Sequence, residues 1–373
     1  MKTAYTEYKK KTAGIITFHS AYNFGAVLQA YALQTYLSQN FIDTRIIDYH
    51  NIKIDQSYSK PGFKELLHKP KHFVFRWMQY YLNKGKNKHI DEFRNDYLKL
   101  TKRFDADNII EANSEADFFV TGSDQVWNYM IIGKDTTFFL DFVNQGKKTC
   151  SYAASIGVNS IPPKYIELYK EALSKIGKIS IREVEGVQLL ADIGITDATV
   201  MPDPTLLLTK EQWDSLCIAP NLKKKYILVY KITKADGLIQ FAKNISKKTG
   251  YQIIYIPNDL KSGIVGSIRL NIGPREWLGY IKNAEYVITN SFHGTLFSIL
   301  FGTKFFSEVS EKVNPSTSRL KNLLFMFGLN ERRIENYKDE LLSKNIQYEK
   351  VKALCEEQRN KAYVFFKDAI DLR

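Results

Sequence analysis

The strongest constraint on the fold is an alternation of short apolar runs with longer segments of helical spacing. Gly14 to Phe18 is apolar and ends in the turn-rich His19-Ser20-Ala21-Tyr22-Asn23-Phe24-Gly25. Ala26 to Leu37 then carries Val27, Leu28, Tyr31, Leu33 and Leu37 at helical intervals, which reads as strand, loop, helix. Further strands are expected near Arg45 to Tyr49, Asp117 to Thr121, Thr149 to Ala153 and Ile179 to Arg182. Helices are expected near Ile90 to Leu98, Pro163 to Ile176 and Glu183 to Gly194. Strand and helix in turn predict an α/β class built from parallel βαβ units. A second alternation follows Asp203-Pro204 and the polar stretch Ala219 to Lys225, with strands at Tyr226–Tyr230, Gln252–Ile256, Glu285–Thr289 and Thr303–Phe306 and helices between them. At 373 residues the chain exceeds what one core organises. The expected division is residues 1–205, residues 206–330, and C-terminal helices over residues 331–373 that pack back on the first domain.

Charge narrows the partners. The formal net charge is +13, which calls for an anionic partner such as a phosphorylated substrate, lipid head groups or nucleic acid. Much of it lies between residues 60 and 88, where Lys60, Lys64, Lys69, Lys71, Arg76, Lys84, Lys86 and Lys88 face one acid, Glu65, with Phe63, Phe73, Phe75, Trp77, Tyr80 and Tyr81 interleaved. Such a segment suits a membrane surface; it is equally readable as a solvated basic helix whose aromatic stripe packs on the domain. The membrane surface is preferred to nucleic acid. No run of 18 apolar residues occurs, and the polar N-terminus lacks a signal-peptide core. Cys150, Cys217 and Cys355 write neither a disulfide framework nor a zinc site. The expectation is a cytoplasmic protein, peripheral to the inner face of the membrane.

In open α/β sheets, ligands sit at the carboxyl ends of strands. There stand His19, Asn23 and Gly25 after the first strand, and Gly122, Ser123, Asp124, Gln125 and Trp127 after the run to Thr121. Arg182 ends another strand, and Asn290, Ser291, His293 and Gly294 follow Thr289. Ser291-Phe292-His293-Gly294-Thr295 puts a histidine at a helix start, beside backbone N–H groups that attract anions; in the plainer reading Ser291 caps the helix and His293 is structural. Arg182 faces a cleft or is tied to Glu183 or Glu185, and Asp124 binds hydroxyls or caps its turn. Asn23-Phe24-Gly25 offers bare backbone to a ligand or simply turns into the first helix. No phosphate-binding glycine motif is present, and the six histidines, His68 and His72 included, lack metal-ligand spacing.

Several motifs together resemble the polysaccharide pyruvyl transferase family. They are Gly14-Ile15-Ile16-Thr17-Phe18-His19 with Asn23-Phe24-Gly25-Ala26 and Gln29-Ala30-Tyr31-Ala32-Leu33, then Gly122-Ser123-Asp124-Gln125-Val126-Trp127-Asn128, Ser151-Tyr152-Ala153-Ala154-Ser155-Ile156-Gly157, Ile181-Arg182-Glu183, Asp203-Pro204-Thr205 and Thr289-Asn290-Ser291-Phe292-His293-Gly294. Their order and spacing agree from about Gly14 to Leu324. The resemblance implies two facing Rossmann-like domains like those of GT-B glycosyltransferases, an acceptor side in the first and a donor side in the second. It implies phosphoenolpyruvate as co-substrate, a sugar diol as acceptor, and neither cofactor nor metal.

The resemblance also carries roles onto particular residues. Arg182 and His293 hold the donor, with Ser291, Asn290 and Gly294 around them, and a third basic residue is either Lys312 or its rival Arg319. Phe292 precedes the histidine where some members carry Arg-Leu. His293 and Asp124 are the expected catalytic pair, and His19, Asn23, Gln125 and Trp127 the expected acceptor contacts. A lipid-diphosphate-linked sugar is the expected acceptor. A nucleotide-sugar glycosyltransferase and a non-catalytic sugar- or lipid-binding protein share such a fold.

Overall fold

The computed structural model describes residues 11–62, 70–233, 236–257, 265–309 and 318–370. Two five-stranded parallel sheets organise them. The first contains β1 (Thr12–Ile16), β2 (Asp43–Tyr49), β3 (Leu100–Phe104), β4 (Phe118–Thr121) and β5 (Lys148–Ser151), in the order β3-β2-β1-β4-β5. A short parallel pair, β6 (Ser180–Ile181) and β7 (Thr199–Val200), continues beyond β5 through single bridges at Cys150–Lys178 and Ala154–Ile181. The second sheet contains β8 (Tyr226–Lys231), β9 (Gln252–Pro257), β10 (Ser267–Ile268), β11 (Tyr286–Thr289) and β12 (Phe305–Ser307), ordered β10-β9-β8-β11-β12. All of β4, β8 and β11 is buried. Their continuous apolar runs are those of strands covered on both faces.

The helix Phe24–Asn40 is buried on nearly every side, as expected of a helix sandwiched within a core rather than lying at a surface. It packs on helices of the second half: Phe24 stacks on Trp277 at 5.4 Å, and Tyr31 lies 5.9 Å from Trp213. One apolar core therefore runs through both halves, including Leu206, Leu207 and Leu208 of the connecting stretch. The last helix, Tyr348–Ile370, returns to the first half, where Phe366 stacks on Tyr152 at 4.6 Å and lies 6.1 Å from Tyr36.

Two sequence expectations change here. The basic segment and the helix expected near Ile90 to Leu98 form one 28-residue helix, Pro70–Tyr97. Lys64 and Lys69 lie outside the described residues, as does Lys312. Along this helix Val74, Trp77, Met78 and Tyr81 stay exposed, so its aromatic stripe is only partly packed on the domain. No helix among the described residues is long and apolar enough to cross a membrane.

Candidate active site

Each sheet reverses its strand order once, between β1 and β4 in the first and between β8 and β11 in the second. Crevices open at such switch points. A cavity of about 120 Å³ lies at both together, lined by Asn23 after β1, Asp124 and Gln125 after β4, Ile232 after β8, and Asn290, Ser291, Phe292 and His293 after β11, with Arg319 closing it.

Two helix N-termini converge there. Asn23 caps Phe24–Asn40, its side chain accepting from Gly25 N at 2.9 Å and Ala26 N at 3.3 Å. Ser291 caps the helix Phe292–Phe301 by accepting from Gly294 N at 3.2 Å. Both cap readings are realised, and each places the positive end of a helix at the crevice. A Cβ on Gly25 would overlap the His293 ring, so only glycine lets the two helix starts meet. Asn290 secures the neighbouring loop, accepting from Ile232 N at 2.9 Å and donating to Thr233 Oγ1 at 2.9 Å.

Electrostatically the site is a buried chain of alternating charge. The Arg182 side chain is almost wholly buried; its Nη1 donates to Asp203 Oδ2 at 2.8 Å and its Nε to Glu183 Oε1 at 3.2 Å. The arginine is thus tied to Glu183, not Glu185, which instead accepts from Asn322 at 2.6 Å. Its remaining nitrogen, Nη2, has no hydrogen-bond partner among the described residues and lies 3.9 Å from Asp124 Oδ1. The guanidinium also sits 5.0 Å from the centre of the Phe292 ring, a cation–π arrangement. Burial opposes charge on Arg182, but Glu183, Asp203 and Asp124 outweigh it and hold the proton more firmly than usual. On Arg319, burial and the neighbouring Arg182 act in the opposite direction and lower the pKa. Its Nε is 3.9 Å from Glu183 and without a hydrogen-bond acceptor among the described residues.

Asp203, which the sequence offers as part of a motif but without a role in the site, is the hub. Its Oδ1 accepts from Thr205 N and Oγ1 at 3.0 and 2.7 Å, while Oδ2 takes Arg182 and faces His293 Nε2 at 3.5 Å. Burial would raise its pKa, but His293 and Arg182 hold the carboxyl well below the usual range. His293 Nε2 is buried and, 3.5 Å from Asp203, makes no hydrogen bond among the described residues. Asp124 adopts a left-handed φ of 68°, a conformation costly for a non-glycine residue and common at functional sites. Its Oδ1 accepts from Gln125 N at 2.9 Å, so it does shape its own turn.

Two expected acceptor contacts lie elsewhere. Trp127 is fully buried, stacked on Phe139 with its Nε1 donating to Phe138 O at 3.0 Å, and lines none of the described cavities. Aromatic bulk placed it in the core. His19 is buried too, with Nε2 2.8 Å from Asp48 Oδ1. His50 meets the same oxygen at 3.0 Å and Asp55 Oδ2 at 2.8 Å. The fold thus gathers three side chains of metal-ligating type, His19, Asp48 and His50, that sequence spacing does not reveal. Hydrogen bonds to Asp48 and Asp55 push the His50 pKa up to about 9, which makes it an imidazolium at neutral pH and a poor ligand.

This architecture recurs in solved structures. A Listeria monocytogenes protein provisionally described as a UDP-N-acetylglucosamine 2-epimerase is 9% identical with 98% of each chain covered, at a TM-score of 0.50. S. aureus MnaA bound to UDP is 10% identical over 94% of this chain and 91% of that one, at 0.46. The glycosyltransferase SnogD from Streptomyces nogalater is 10% identical over 95% of both, at 0.41. At such identities the likeness concerns the fold alone, the GT-B arrangement. No curated protein is significantly similar in sequence. A sequence model of the polysaccharide pyruvyl transferases, by contrast, matches residues 23–308, from the first helix cap through the histidine motif to the end of the second sheet. The chain belongs to the polysaccharide pyruvyl transferase family.

Proposed function

We propose that the protein transfers the enolpyruvyl carbons of phosphoenolpyruvate to two hydroxyls of a sugar, forming a pyruvate ketal and releasing phosphate. One observation carries this reading: two buried guanidinium groups and an imidazole, each with a nitrogen that makes no hydrogen bond among the described residues, border or abut one crevice at the start of a helix. A small dianion with separate carboxylate and phosphate groups suits that set, since planar guanidinium forks pair with both. Arg182 and Arg319 hold the donor, and the N-terminus of Phe292–Phe301 adds its partial positive charge.

His293 delivers a proton to the methylene carbon, making it a methyl group and leaving electron deficiency at C2. One acceptor hydroxyl adds to C2, its proton passing to Asp124. The C2–O bond to phosphate then breaks, the second hydroxyl closes the ring, and its proton leaves with the phosphate. Imidazole suits the first step because it exchanges protons near neutral pH. A lipid-diphosphate-linked sugar fits the basic helix Pro70–Tyr97, whose exposed Val74, Trp77, Met78 and Tyr81 would rest on a bilayer surface. Anionic vesicles should then bind the protein at low salt and release it as salt rises; absence of vesicle binding removes the membrane contact.

The direct test is phosphate release from phosphoenolpyruvate across a panel of sugar and lipid-linked sugar acceptors. Acceptor-dependent release with a matching gain of carboxyethylidene mass on the sugar is expected. Nucleoside diphosphate binding without any phosphate release would instead favour nucleotide-sugar transfer.

A further inference from the structure

Beside the catalytic crevice lies a second cavity of about 140 Å³, lined among others by Tyr22, Asn23, Ser57, Tyr58, Lys86 and Asn87. Asn23 belongs to both cavities, and Tyr58 and Ser57 also border a cleft of about 480 Å³ that reaches Asp124 and Gln125. On its other side the cavity shares Tyr22, Tyr58 and Asn87 with an outer cleft of about 870 Å³ edged by Lys84, Lys88, Arg94 and Arg103. The three cavities thus adjoin, sharing lining residues between an outer end edged by Lys84, Lys88, Arg94 and Arg103 and an inner end at Asp124 and Gln125.

Two polar groups in the cavity lack partners. Lys86 is 7% exposed, and among the described residues it makes neither an ion pair nor a hydrogen bond. Desolvation draws its pKa down to about 8. Asn87 Oδ1 is also buried without a donor. An unpaired ammonium in a protein interior costs several kcal/mol, and an unpaired amide oxygen about 1–3 kcal/mol. Neighbouring residues on one helix that leave both a cation and an acceptor open fit a ligand with an anionic group beside a hydroxyl. The rings of Tyr22 and Tyr58, packed edge to face at 5.5 Å, form an amphipathic wall suited to such a ligand.

We infer that this cavity holds the phosphate-bearing end of the acceptor sugar, with Lys86 on the phosphate and Asn87 accepting from a sugar hydroxyl. The inference rests on the pyruvyl transfer reading for the word acceptor, but its binding test does not. Glucose 1-phosphate and N-acetylglucosamine 1-phosphate are titrated calorimetrically against glucose and N-acetylglucosamine, without phosphoenolpyruvate. The native protein should bind at least one phosphate ester about tenfold or more tightly than its parent sugar at pH 7, the gain from one charge-assisted contact. That preference should fall as pH rises past about 8, where free Lys86 loses its proton.

Lys86→Gln should abolish both the preference and its pH step. Because it removes an unpaired buried charge, it should melt at or above the native temperature. Asn87→Asp, which puts a carboxylate into the same cavity to pair with Lys86, should abolish the preference independently. Phosphoenolpyruvate affinity should stay unchanged in both variants. Equal binding of esters and parent sugars by the native protein, or a preference retained in Lys86→Gln, overturns the inference. Failure of phosphate release from phosphoenolpyruvate, with these binding results intact, would sink the pyruvyl transfer reading and leave the sugar phosphate site standing.

Discussion

His293→Ala is expected to lower turnover by roughly 10²- to 10⁴-fold, the range for loss of a general acid, with the fold intact. The fold should survive because the helix start is fixed by Ser291 and Gly294, and Asp203, the carboxylate that faces the ring, stays bonded to Arg182 and Thr205. The loss should appear in kcat, since Arg182 and Arg319 remain to bind the donor. Gly25→Ala approaches the same group from the opposite domain. The added methyl would overlap the imidazole, and displacing a reacting group by about 1 Å can cost on the order of 10²-fold. Steady-state kinetics on both variants, with circular dichroism to verify folding, decides the matter. A folded His293→Ala enzyme at near-native rate would remove the histidine from the chemistry.

The sequence made the architecture legible because the central strands of both sheets are buried and therefore mainly apolar. β4, β8 and β11 all stand where their runs predict them. β3, Leu-Thr-Lys-Arg-Phe, escaped notice because it is an edge strand with only Phe104 buried, and edges are commonly dressed with charge. The long helix Pro70–Tyr97 was read in two pieces because its polar middle, Asn83 to Lys88, breaks the apolar periodicity. Among site residues, Asp124, His293, Ser291, Asn290, Asn23 and Gln125 converge because strand ends at switch points must, while Arg182 reaches them from the end of β6 through Asp203. Position after a strand does not reveal side-chain direction, which is why Trp127 and His19 proved buried away from the crevice. Asp203 was the opposite failure. Followed by proline, it marked the boundary between the two alternations, while its role depends on Arg182 and His293, 21 and 90 positions away.

Asp203→Asn should destabilise the protein by about 3 kcal/mol, the lower end of the penalty for stranding a buried charge. The amide nitrogen would face the Arg182 Nη1 donor now bonded at 2.8 Å, so two donors would oppose each other in a dry site. Glu183, at 3.2 Å, and Asp124, at 3.9 Å, would still compensate the guanidinium in part, which keeps the loss from the upper end near 5 kcal/mol. The pH dependence has a definite sign. Asp203 is held below its ordinary value in the folded state, so its contribution is fully present above about pH 4, the unfolded carboxyl range, and is lost as pH falls toward the folded value. Urea unfolding at pH 7 and at pH 3 should therefore separate native and variant proteins strongly at the first pH and less at the second. A difference that is absent at pH 7, or that widens in acid, would show that Asp203 is not the counter-charge that holds Arg182 and His293 together.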